Sequence, residues 1–169
     1  MIWTRCSTSV VKTGTYAARL TASSTSGSVA YARKTLSADQ GQLTVSGDFQ
    51  ITAEGTSAQN VPLLRIFDAG GTRRVGLFRQ SQSGNKIYIS YGGSNFLTTG
   101  LLPLGTWAHF DVKVVAGTGS ATVEVRLNGN VIYSTSAATV PALRTLQIGN
   151  DTAAQPMGIY VDNLIATTP

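Results

Sequence analysis

Leu104–Val115, "LGTWAHFDVKVV", decides how this chain is read. It holds the only histidine of the sequence, His109, close to Trp107 and Asp111. Phe110, Val112 and Val114 alternate with His109, Asp111 and Lys113, the period of a strand with one buried and one wet face. On that register His109 points away from the core together with Trp107 and Asp111. The next run, "ATVEVRLNG" at 121–129, repeats the alternation through Val123, Val125 and Leu127 and turns Glu124 and Arg126 outward. Cross-strand pairing of such charges accounts for these polar residues without any chemistry. No Ser or Cys close in sequence carries a nucleophile motif such as G-x-S-x-G. His109 is expected to be structural.

The same period of two runs nearly end to end. Leu43, Val45, Phe49 and Ile51 share a face of "QLTVSGDFQIT"; Ile87, Ile89 and Tyr91 alternate with Tyr88 and Ser90 in "KIYISYG". "TYAARLTA" places Tyr16, Ala18, Leu20 and Ala22 together. "IYVDNLIAT" places Ile159 and Val161 together, followed by Asn163 or, with a local slip, Leu164. Asn128-Gly129 sits between two alternating runs and signals a hairpin, because a type I′ turn needs positive φ at both central residues. "DAGGTRR" and "SQSGNK" are further glycine-bearing turns. About twelve strands at roughly ten-residue spacing, with no helix, mean an antiparallel sandwich or barrel.

Composition agrees. Only 12 % of the 169 residues are charged, against roughly 25 % in ordinary soluble domains, and Gly, Ser and Thr, poor helix formers, make up the difference. The length suits one domain, residues 1–169. Cys6 stands alone, so no internal disulfide forms, and no run approaches the roughly 20 apolar residues of a membrane span. The start lacks the apolar core of a signal peptide and reads as mid-strand, while "ATTP" reads as a linker. The expectation is a module cut from a longer secreted bacterial protein, with other domains of that parent as neighbours. A net charge of +5 fits solubility and also an acidic partner.

Gly105-Thr106-Trp107-x-His109-Phe110-x-Val112, followed by a short turn and "ATVEVRLNGNVIY", resembles the laminin-G-like and concanavalin-A-like jelly rolls. "KTGTYAARL" and "IYVDNLIAT" are similar to the first and last strands of bacterial carbohydrate-active jelly-roll modules. The resemblance covers both ends and about 104–134; residues 40–100 match in strand rhythm only. It implies an all-β, two-sheet jelly-roll sandwich in which a histidine at this place does no chemistry.

That superfamily also contains glycosidases and polysaccharide lyases. A retaining glycosidase needs two carboxyl groups about 5 Å apart. Here the acids Asp39, Asp48, Glu54, Asp68, Asp111, Glu124, Asp151 and Asp162 never fall within five residues of one another, so none pair on one strand. A lyase neutralises a uronate with Arg, Gln or Asn and removes a proton with His or Tyr. The chain lacks a Gln-x-His strand, and "KIYISYGG" lacks the alginate-lyase pattern Y-x-K-x-G-x-Y.

Arg65, Arg73, Arg74, Arg79 and Lys86 nevertheless crowd a short span that also carries Gln80, Tyr88 and Tyr91. A solvated hairpin edge explains such a cluster. So does a sugar-binding face, where rings meet pyranose C–H groups and Arg or Asn bind hydroxyls and carboxylates. The expectation is therefore a non-catalytic, lectin-like carbohydrate-binding module whose partner is a polysaccharide or glycoconjugate, acidic ones included. Its site residues would be Arg79, Tyr88, Tyr91 and Asn95, on a concave sheet and its loops. A polysaccharide lyase and a structural or adhesive module are the alternatives. The basic residues fit no nucleic-acid-binding motif, and insertion into a membrane is not expected. By resemblance, Asp162 in "YVDNL" is a candidate ligand of a structural calcium.

Overall fold

The computed structural model describes residues 4–152 and 155–169, so the reading of Met1–Trp3 as part of a strand lies outside them. Among the described residues there are thirteen strands and no helix: β1 Thr4–Ser7, β2 Ala17–Ala22, β3 Ala30–Gln40, β4 Gln42–Ala53, β5 Asn60–Phe67, β6 Arg73–Gln80, β7 Lys86–Tyr91, β8 Ser94–Leu101, β9 Trp107–Val115, β10 Gly117–Leu127, β11 Asn130–Val140, β12 Leu143–Asn150 and β13 Met157–Thr167. They form a seven-stranded sheet, β1-β2-β13-β4-β9-β10-β11, and a six-stranded sheet, β3-β12-β5-β6-β7-β8. Every pairing is antiparallel. The chain changes sheet repeatedly, for example from β2 to β3 and from β11 to β12. This is a jelly-roll sandwich.

The inner faces are the apolar halves of the alternations. Leu43, Val45, Phe49 and Ile51 of β4 and Phe110, Val112 and Val114 of β9 are buried against Ile87 and Ile89 of β7 and Val75 and Leu77 of β6. Phe49 and Phe110 meet edge to face at 6.0 Å. Asn128 has φ 49° and Gly129 φ 83°, the two positive values of the predicted hairpin turn. The slip in β13 takes the second form. Asn163 (φ 51°) forms a bulge between Asp162 and Ile165, and Leu164 then faces Val45 and Leu146 across an inter-sheet cavity of about 240 Å³. Tyr16 departs from expectation: it precedes β2 and is exposed, whereas Leu20 and Ala22 point inward.

Candidate binding face of the six-stranded sheet

The two sheets present two outer faces, and each carries one of the polar clusters noted in the sequence. On the seven-stranded sheet, Asp48 of β4 lies opposite His109 of β9, and Ser46 lies opposite Asp111. Ser46 Oγ is 2.9 Å from His109 Nε2, and His109 Nδ1 is 3.1 Å from Asp48 Oδ1. Asn163 donates to the other oxygen of Asp48 at 2.7 Å, and Asp111 stands 3.5 Å from Nε2. The order Ser–His–Asp is that of a nucleophilic triad, but its surroundings are not. Strands β4 and β9 are each paired on both sides, so their backbone N–H groups are committed to ladders rather than gathered as an oxyanion hole. The arrangement satisfies the buried carboxylate of Asp48 and ties β4, β9 and β13 together. Glu124 and Arg126 fall opposite Lys113 and Asp111, the cross-strand pairing expected from the sequence.

The outer face of the six-stranded sheet is built differently. Register places Arg33 (β3), Gln147 (β12), Arg65 (β5), Gly76 (β6), Ser90 (β7) and Asn95 (β8) in one row across all six strands. At roughly 4.8 Å per strand the row spans about 24 Å. On one side of it lie Phe78 and Tyr88, their rings stacked at 5.4 Å and nearly parallel. On the other side Phe67 lies opposite Arg73. Gln147, Arg65 and Ser90 are buried although they face away from the core, so the row is a floor of ordered polar groups rather than a solvated fringe.

Those groups partner one another, as burial requires. Gln147 Oε1 accepts from Arg33 Nε at 2.9 Å, and the Arg33 guanidinium rests 5.0 Å over the Phe67 ring. Arg33 Nη2 donates to Asp151 Oδ2 at 2.8 Å, and Arg65 Nη1 donates to Asp151 Oδ1. Burial pushes the Arg65 guanidinium below its ordinary pKa; Asp151 opposes that shift, while Arg73 and Arg33 add to it by repulsion. Two guanidinium groups thus share a single carboxylate, with the charge of Arg73 close by. Arg74 is neutralised separately by Asp68, whose carboxyl is held below its usual range chiefly by the Thr72 N–H and also by Arg74. Arg73 has neither an ion pair nor a hydrogen bond among the described residues. It lies beside Gly76, where an added Cβ would come within 2.7 Å of Ser90 Oγ, and a recess of about 80 Å³ next to it is lined by Ser90, Gly92, Gly93 and Asn95.

Against this geometry the four glycan-binding candidates separate. Tyr88 and Asn95 stand on the face. Tyr91 borders the recess, but its ring turns inward: it stacks on Phe96 at 4.5 Å, and its hydroxyl is 2.5 Å from that of Tyr133. Arg79 is a correction. It pairs with Ile87 rather than Tyr88 and points into the core, 2 % exposed. Its guanidinium is consumed by Glu54, by Leu102 O at 2.9 Å and by Asn85 Oδ1 at 2.8 Å. Arg79 shares parity with the buried Val75 and Leu77, and that alternation was the signal against it. Arg33, Gln147 and Asp151 were not singled out from sequence, because their meeting requires β3 and β12 to be neighbours.

Asp162 faces out from β13 and caps the segment between β1 and β2. Its Oδ2 accepts the N–H of Lys12 at 2.9 Å and of Thr13 at 3.0 Å, and Oδ1 accepts that of Asn163 at 2.8 Å. Burial acts to raise its pKa, and these N–H donors outweigh burial, so the carboxyl sits below the ordinary range. Among the described residues no group of three His, Cys, Asp or Glu side chains is placed to hold a metal ion. Asp162 is occupied as a backbone cap.

The architecture recurs in solved structures. A cellulose-induced protein, Cip1, superposes with a TM-score of 0.78 at 14 % identity, covering 99 % of this chain and 86 % of that one. The alginate lyase Aly36B, solved as a mutant with an alginate trisaccharide, gives 0.64 at 13 % identity over 91 % and 84 % of the two chains. A heptameric SAP-like pentraxin from Limulus polyphemus gives 0.63 at 14 %, over 88 % and 74 %. These likenesses are to jelly-roll, concanavalin-A-like sandwiches and concern the fold. No protein-family model matches the sequence, and no curated protein matches it by sequence.

Proposed function

We propose that this chain is a non-catalytic carbohydrate-binding module, working outside the cell, that takes an acidic glycan across the outer face of the six-stranded sheet. The observation that carries the reading is that Arg33 and Arg65 share one carboxylate, Asp151, on a floor of buried polar groups, while Arg73 adds an unpaired positive charge beside Arg65. Such a surplus of guanidinium favours a ligand bearing carboxylates or other anionic groups. Arg73, uncommitted and exposed, is the anchor for that charge. Tyr88, backed by Phe78, offers a ring face to the sugar, and Asn95 supplies both donor and acceptor. The solved complex of Aly36B with an alginate trisaccharide supports an acidic polysaccharide as partner for this architecture.

The lyase alternative draws on the same neighbour and on the phenols of Tyr31 and Tyr88, which lie on this face. Against it, the chain's one histidine sits on the opposite sheet, and Arg33 and Arg65 are already engaged with Asp151 and Gln147. Calorimetric titration with oligouronates is expected to give binding that weakens about tenfold or more in Arg73→Ala, a loss on the scale of one charge-assisted hydrogen bond. Tyr88→Ala should lose a comparable amount. Absorbance of the unsaturated product should stay flat on prolonged incubation. Unchanged affinity in both folded variants overturns the site, and rising absorbance overturns the absence of catalysis.

A further inference from the structure

Asp151 lies just beyond the end of β12, outside any ladder, with its carboxylate about one quarter exposed. It holds Arg33 Nη2 through Oδ2 and Arg65 Nη1 through Oδ1, so one carboxylate bridges two guanidiniums from different strands. The preceding residue fixes its place: Asn150 Oδ1 accepts the Thr152 N–H at 3.0 Å and is 3.4 Å from Arg65 Nη2. We infer that Asp151 is the specificity-determining residue of this face, an internal counter-carboxylate that a ligand carboxylate must replace in order to bridge Arg33 and Arg65. The inference rests on the acidic-glycan reading and deepens it.

The physical reason is one of exchange. Arg65 is buried, with its side chain 8 % exposed, and among the described residues the carboxylate it pairs with is that of Asp151. An approaching hydroxyl cannot replace the bond to Arg65 without leaving a buried guanidinium with no counter-charge, which is costly. A carboxylate can replace both bonds of Asp151 with no change in the charge balance of the pair. Neutral glycans are thereby rejected at this position. Uronates are admitted, at an affinity lower than the bare arginine pair would give. Arg73, which has no such partner, discriminates less.

The test compares Asp151→Asn with the wild-type chain, using oligouronates and neutral oligosaccharides of equal length in calorimetry. Asp151→Asn keeps the shape and removes the competing charge. It is expected to bind oligouronates about tenfold more tightly, to bind neutral oligomers no better, and to lose the gain when Arg33→Ala is added. Glu124→Gln, on the outer face of the other sheet, makes the same change in net charge and is expected to leave affinity unchanged. An equal gain in Glu124→Gln overturns the inference, because net charge alone then explains it. So does no gain in Asp151→Asn while Arg73→Ala still weakens binding, and in that case the acidic-glycan reading stands. No binding by the wild-type chain removes that reading and the inference with it. Should Asp151→Asn not fold, the carboxyl carbon resonance of Asp151 in the wild-type chain reports the same exchange. It should shift with oligouronate and not with neutral oligomers; an unmoved signal contradicts the inference.

Discussion

Arg79→Ala is expected to destabilise the fold by about 3–5 kcal/mol, the cost of removing one partner from a buried ion pair. Three groups lose their donor at once: the Glu54 carboxylate, the Leu102 carbonyl and the Asn85 side chain. Glu54 keeps only the N–H of Gln82, at 3.0 Å. These partners lie just past β4, just past β8 and just before β7, so the guanidinium clamps one end of the sandwich across both sheets. Urea denaturation of the variant measures the loss. A change below about 1 kcal/mol would mean that water or side-chain rearrangement satisfies the site. Replacing both members, Arg79→Met with Glu54→Gln, should recover much of the stability, because no charge is then left buried.

Gly149→Ala should be about as damaging, roughly 2–5 kcal/mol. Gly149 lies within β12 at φ +79°, and a Cβ there would collide with the Ala30 carbonyl oxygen and approach Leu20 Cδ2 to 2.8 Å. The left-handed backbone costs an L-residue about 1–2 kcal/mol, and overpacking adds about 1–3 kcal/mol. The clash involves the backbone of the neighbouring strand β3, which cannot yield without disturbing the row that holds Arg33 against Gln147. Thermal denaturation of the variant measures the cost. A melting temperature within a degree of the parent's would show that β12 can shift relative to β3.

Alternation was the legible part of the fold. Period two placed the inner faces of β4, β7, β9 and β10 correctly because one side of each strand is buried and the other wet. It also contained the answer for Arg79, whose parity matches Val75 and Leu77, but residue chemistry suggested a ligand where position required a core clamp. His109 was placed on the outer face as expected, while its hydrogen bonds to Ser46 and Asp48 depended on β4 lying beside β9, some sixty residues away in the chain. The candidate site was the least legible. Its row joins Arg33 to Gln147, 114 residues apart, and Arg65 to Asp151, 86 apart. Nothing local to "YARKT" or "LQIGND" indicates that they meet. Only the strand order β3-β12-β5, a product of the jelly-roll crossovers, brings these groups to one carboxylate.

The most direct test of the central claim is a map of backbone amide shifts during titration with a short oligouronate. The account predicts that the perturbed amides cluster on the outer face of the six-stranded sheet, around Arg73, Gly76, Phe78, Tyr88, Ser90 and Asn95. Perturbation centred on Ser46, Asp48 and His109 of the opposite sheet, or none at saturating ligand, would contradict it.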